Sequence, residues 1–170
     1  GTNFISTDDI KYIENEISSL RNYSIEDIDK LLLKYESKVG YSNSDLEKNS
    51  ALIDKHFVHR SIKEIYKSLE EDNSDWCIAT LKTLSKKSPT SMAVAAEQIT
   101  KAKDLSFEDC MSMEFRICQT MMSLHDFYEG VRANLVEKDR NPRWNPSNLS
   151  EINNELVEKH FFNLGKKELL

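Results

Sequence analysis

Residues 88–122 read SPTSMAVAAEQITKAKDLSFEDCMSMEFRICQTMM, and this stretch decides the fold. Pro89 follows Ser88, and proline suits the first turn of a helix, where its missing N–H has no intrahelical role. Met92, Ala95, Ile99 and Ala102 then recur at helical spacing. Ser106, with Asp109 three residues on, opens a second run whose apolar stripe is Phe107, Met111, Phe115, Cys118 and Met122. Neither run alternates as a strand would.

The same reading extends in both directions. Upstream, Ile10, Ile13, Ile17 and Leu20 mark a helix capped by Thr7 or Asp8. Ser24 caps a second, with Ile25, Ile28, Leu32 and Tyr35 on one face and Gly40 as its stop. Leu46, Ile53 and Phe57 mark a third. Ser61 and Glu64 box the start of a fourth, and Trp76, Cys77, Leu81 and Leu84 belong to a fifth. Downstream, a break at 123–126 is expected, with Asp126 and Glu129 as a D-x-x-E cap of a helix running to about Asp139. Asn141-Pro142-Arg143-Trp144-Asn145-Pro146 should be extended, because a residue before proline avoids the helical region. A last helix is expected over 149–162, with Gly165 beyond it.

Composition agrees. The 170 residues include only 4 Gly and 3 Pro, too few for many tight turns, while 39% hydrophobic residues suffice for a core. The expected class is all-α. A composition shift at Ser88 divides it into a charged helical segment, 1–87, and a Met/Cys/Phe-rich segment, 88–170, within one compact helical domain.

A net charge of −6, with no basic run, argues against nucleic acid, DNA included, as a direct partner. No apolar stretch reaches bilayer length, so no membrane span is expected. Cys77, Cys110 and Cys118 form no CxxC pair, which points to a reducing compartment. The amino end shows neither a start methionine nor a leader, so the chain reads as part of something longer.

Three constellations invite chemistry. His56, His59 and Asp54 offer metal-ligand types, yet spacing fixes no third strong ligand, and a solvated helix end is the reading adopted; no metal is expected. Ser123, His125 and Asp126 are sequence neighbours, which rarely converge as a catalytic triad, and are read as a helix break. Met111, Met113, Met121 and Met122 read as core filling. Glu114 and Arg116 do not face each other on a helix, so each should pair elsewhere. No P-loop, dinucleotide fingerprint, nucleophile elbow or HExxH occurs.

From Ser88 onward, SPTS (88–91), MEFR (113–116), HDFYEGVRA (125–133) and EKDRNPRWNP (137–146) appear in an order and spacing that resemble the carboxy-terminal part of the 3-hydroxyisobutyryl-CoA hydrolase family of the crotonase (enoyl-CoA hydratase) superfamily. The opening Thr2-Asn3-Phe4-Ile5 resembles the start of that family's helical region. The resemblance implies a thioesterase of valine catabolism, mitochondrial, with no cofactor beyond the coenzyme A of its acyl-CoA substrate. It places the oxyanion hole and the catalytic carboxylate in a ββα-spiral core that has no counterpart in this Gly-poor chain, so no catalytic residue is assigned and the chain alone should be inactive. By the same resemblance, Lys138 is the candidate contact to a CoA phosphate, and the family's aromatic CoA contact falls on Asn134. The Met- and Cys-rich faces are expected to pack on that core or on a second copy, so that the chain self-associates. Two alternatives stay open: a helical interaction module such as a mitochondrial ribosomal small-subunit component, and an unrelated helical scaffold.

Overall fold

The computed structural model describes residues 3–36 and 44–169. They are helical, with no sheet among them; the one strand-like feature described is an isolated antiparallel bridge between Ile5 and Glu36. The chain groups into two units, one ending at Ile53 and one beginning at Asp54.

In the first unit a 3₁₀ turn, Thr7–Asp9, leads into α1 (Ile10–Ser19). The side-chain cap comes from Ser6, whose Oγ accepts from the Asp8 N–H, rather than from Thr7 or Asp8. α2 (Ile25–Tyr35) starts on a reciprocal box between Ser24 and Asp27, satisfying two N–H groups that the helix leaves open. The two helices pack together, and Glu16 of α1 accepts from Lys34 at 2.8 Å and from the Tyr35 hydroxyl. α2 ends at Tyr35; the proposed stop at Gly40 lies outside the described residues. The expected third helix is two short ones, α3 (Asp45–Lys48) and α4 (Ser50–His56), and Phe57 falls beyond both.

The second unit is built from α5 (Ile62–Glu71), α6 (Asp75–Leu84), α7 (Pro89–Ala102) and α8 (Phe107–Met122), each with a serine cap at Ser61, Ser74, Ser88 and Ser106. A serine there is worth about 1 kcal/mol over alanine, because its oxygen takes an otherwise unpartnered N–H. The core gathers Ile62, Ile65 and Leu69 of α5, Cys77 of α6, Ala93 of α7 and Ile152. Helices on both sides of Ser88 thus share one core, and the composition shift there falls inside the unit. Lys63 donates to the Ile152 carbonyl at 2.8 Å, tying the distant segment to α5.

α9 (His125–Val131) follows the expected break, but it does not run as an α-helix to Asp139: it passes into a π-turn over Arg132–Val136. The expected last helix is fragmented into a 3₁₀ turn (Leu149–Glu151), α10 (Asn154–Glu158) and a second 3₁₀ turn (Lys159–Phe161). Gly165 opens a further turn at φ +62, a conformation open to glycine at little cost.

One expectation about α8 needs revision and one holds. α8 buries Ser112 and Met113, whereas Phe107, Met111, Cys118 and Met122 of the apolar stripe are exposed, Phe107 at 75%. Glu114 and Arg116 do pair elsewhere: Glu114 accepts from Gln98 of α7 at 2.7 Å, and Arg116 Nε donates to Glu168 at 2.9 Å.

Candidate functional site

The motif HDFYEGVRANLVEKDRNPRWNP folds into one hydrogen-bonded knot. Asp126 is not a helix cap. The N-cap of α9 is Leu124, which supplies no side-chain cap, and the buried Asp126 carboxylate accepts from the Ser88 hydroxyl at 2.6 Å and from the Asn145 N–H at 2.8 Å. Glu129, one turn on, accepts two bonds from the Arg132 guanidinium, at 2.9 and 2.8 Å, and the Arg143 N–H at 2.7 Å. The two carboxylates therefore fix alternate residues of the extended segment around Asn141–Pro146 against α9, while Trp144 Nε1 donates to the Lys86 carbonyl. The Trp144 ring lies over Gly130, where a Cβ would meet it at 3.5 Å, an ordinary contact distance.

Arg132 is the hub. Beyond Glu129 it donates to Glu137 and Asp139 and to the Asn141 carbonyl, using its planar fork in several directions at once. The hydrogen bonds from Arg132, followed by the Arg143 N–H, hold the Glu129 carboxyl down at about 2, and the Glu129 bonds push Arg132 upward. Asp139 is lowered chiefly by the Asn141 N–H. The π-turn closes with Glu137 N–H on the Arg132 carbonyl at 2.8 Å, and Arg140 N–H reaches the Ala133 carbonyl at 3.0 Å. Between these anchors Lys138 and Arg140 take left-handed backbone conformations, φ 59 and 55, unusual for residues bearing a Cβ.

Lys138, the CoA-contact candidate, is exposed on this loop. Arg140 of the same loop joins Lys86, Lys87, Ser88, Asn134 and Trp144 in lining a depression that Lys138 itself does not line. Lys86, Lys87 and Arg140 were not singled out from the sequence. They are far apart or interleaved with acids, and only the knot gathers them.

Ser123, His125 and Asp126 do not converge. Ser123 Oγ donates to the Thr120 carbonyl at 2.7 Å, and His125 is half-exposed. Asp126 stands between His125, at 3.1 Å, and Ser88, so no imidazole reaches a hydroxyl to activate it.

The reading of His56 as part of a solvated helix end is overturned. His56 is fully buried at the end of α4, its Nδ1 2.8 Å from Ser68 Oγ and its Nε2 3.2 Å from Asp72 Oδ2 and 3.4 Å from Cys77 Sγ. Asp54 and His59 are exposed and outside this group. The helices bring together residues too far apart for spacing to connect. Asp72 is held well below the usual carboxylate range, first by the Lys55 ammonium at 2.6 Å and then by the Ser74 N–H. The group is not a cysteine–histidine nucleophile: one ring nitrogen faces both the thiol and the carboxylate, and Cys77 is fully buried.

His160 is also fully buried: Nδ1–H donates to the Leu156 carbonyl at 3.0 Å, and Nε2 has no partner. Burial pushes its pKa below the ordinary 6.5. Below pH 6.5 the unfolded chain therefore binds more protons than the folded one, and stability falls with pH. Glu129 acts with the same sign. Its contribution is complete above its ordinary 4.5 and is lost as pH falls toward about 2. The thermal unfolding midpoint, followed by circular dichroism, should decline in two stages, and Glu129→Gln should reduce the lower one, which Asp72 and Asp139 share with it. A midpoint unchanged from neutral pH down to about pH 4 would contradict the assignment of His160.

No described helix is long and apolar enough to cross a membrane. The chain is 39% identical over 171 residues to a mitochondrial 3-hydroxyisobutyryl-CoA hydrolase of Dictyostelium discoideum, covering 99% of this chain and 45% of that protein. It is 33% identical to the human mitochondrial 3-hydroxyisobutyryl-CoA hydrolase, with 99% and 44% coverage. The chain thus spans less than half the length of these relatives. A crystal structure of a carnitinyl-CoA dehydratase from Mycobacterium thermoresistibile matches all of the chain and 46% of its own at a TM-score of 0.79 and 23% identity, which speaks for the fold alone. An enoyl-CoA hydratase from Rhodobacter sphaeroides gives 0.71 at 24% identity, over 96% of this chain and 44% of its own. The enoyl-CoA hydratase/isomerase family matches residues 1–161, and the chain belongs to that family.

Proposed function

We propose that this chain is the carboxy-terminal helical part of an acyl-CoA thioester hydrolase acting on 3-hydroxyisobutyryl-CoA in mitochondrial valine breakdown, with the catalytic core outside these 170 residues. The carrying observation is the similarity over 99% of the chain to hydrolases of that name, of which it spans less than half. The exposed Phe107, Met111 and Met122 on α8 support a surface that another body covers, either the core or a second copy.

On this reading Lys138 meets a CoA phosphate as a point charge from the loop beside the Arg132 hub. The test is free-thiol release from 3-hydroxyisobutyryl-CoA by the whole protein and by the chain alone. The whole protein turns over and the chain does not. Lys138→Glu in the whole protein should raise KM several-fold at nearly constant kcat, because it alters binding shared by ground and transition states. Turnover by the isolated chain would sink the division of labour, and an unchanged KM would remove Lys138 from the CoA site.

A further inference from the structure

The buried group at His56 is placed as a metal centre would be. The Nε2 of His56, a carboxylate oxygen of Asp72 and Sγ of Cys77 all lie within 4.8 Å of one another. Zinc bound to nitrogen or oxygen at about 2.0–2.1 Å and to sulfur at about 2.3 Å in a tetrahedron sets N–O edges near 3.3 Å and N–S edges near 3.5 Å. The distances here are 3.2 and 3.4 Å. Both edges from the imidazole thus match ligand–ligand spacing, and the third lies within the same 4.8 Å.

The surroundings fit as well. Ser68 Oγ, 2.8 Å from Nδ1, holds the ring by its other nitrogen, as partners of metal-bound histidines commonly do. The Trp76 ring stacks at 6.4 Å from His56, with Phe57 edge-on to Trp76, giving the site an apolar wall. Lys55 now balances the Asp72 charge, but its side chain is 60% exposed and is free to swing into water when a dication takes its place. The Asp72 side chain is 19% exposed, so the group is reached from solvent on its side.

We infer that His56, Asp72 and Cys77 form a binding site for a divalent, borderline-soft cation of the zinc class, which clamps the end of α4 to the α5–α6 turn. On binding, the Cys77 S–H bond breaks, an Sγ–metal bond forms, and one proton passes to solvent. Thiolate and carboxylate then balance the dication while the imidazole stays neutral. This site is independent of the acyl-CoA reading and takes no part in thioester cleavage.

The test uses the whole protein, reduced and stripped by a chelator, titrated with zinc chloride by calorimetry and with cobalt chloride by absorbance. The expected result is one added equivalent assigned to this site, a proton release seen as a buffer-dependent heat, and a thiolate-to-cobalt charge-transfer band. Cys77→Ser should abolish the band and His56→Asn should weaken zinc binding by at least about a hundredfold, with Ser68→Ala costing roughly 10–100-fold. Cys118→Ser, altering an exposed thiol, should keep the band. Absence of the band in the unaltered protein at millimolar cobalt overturns the inference without recourse to any variant. So does a band that survives Cys77→Ser.

Discussion

Asp126→Ala should lower the stability of the second unit by about 1–3 kcal/mol and loosen the extended segment while the helices on either side persist. The carboxylate is the acceptor for a buried hydroxyl, Ser88, and for the Asn145 N–H. Removing one partner of a buried hydrogen bond costs roughly 1–3 kcal/mol for a group left unsatisfied, and the buried Ser88 hydroxyl is stranded here, whereas the N–H of the exposed Asn145 can turn to water. Ser88 is also the cap of α7, accepting from the Ser91 N–H at 3.1 Å, so its loosening is felt by a core helix. Amide exchange reads the effect locally: the Asn145 N–H should exchange much faster, with Arg143, held by Glu129, affected less. Asp126→Asn, which keeps an acceptor oxygen for one of the two donors, should cost less than half as much. Equal amide protection in Asp126→Ala and the unaltered chain would show that the segment is held by other contacts.

Leu69→Ala should destabilise the same unit by about 2–5 kcal/mol through the cavity it leaves. Leu69 is fully buried in the cluster that joins α5, α6, α7 and Ile152, and among the described residues it is the largest fully buried side chain. At roughly 2–4 °C per kcal/mol for a chain of this size, the thermal midpoint should drop by about 10 °C. Leu69→Met, close in volume, should lose under about 1.5 kcal/mol. A loss below about 1 kcal/mol in Leu69→Ala would mean that the site collapses freely and that the core is not close-packed there.

What the sequence made legible was local. Serine caps at 24, 61, 88 and 106 stand where the spacing put them, because an N-cap is written in four consecutive positions and needs nothing distant. The break at 123–126 and the extended run before Pro146 are local for the same reason. What failed depended on distant partners. Asp126 and Glu129 have capping spacing, yet both carboxylates turn to residues 14–38 positions away. His56 looked solvated because Ser68, Asp72 and Cys77 lie 12–21 residues downstream, and only the fold brings these side chains to its ring. The stripe on α8 was periodic but is largely uncovered within the described residues. Periodicity reports a face and not what covers it.

The Arg132 hub has a further consequence, for how charge is distributed at the surface. Glu137, Lys138, Asp139 and Arg140 alternate in sign along the chain, and at a distance such a run would be nearly neutral. The π-turn and the two left-handed residues unmix it: both acids are drawn to one guanidinium, while Lys138 and Arg140 take no part in that network and remain exposed. Lys86 and Lys87 join Arg140 from across the depression. A chain of net charge −6 thereby presents a small cationic outcrop, and an anion approaching within a Debye length, about 8 Å at physiological salt, meets that outcrop rather than the average.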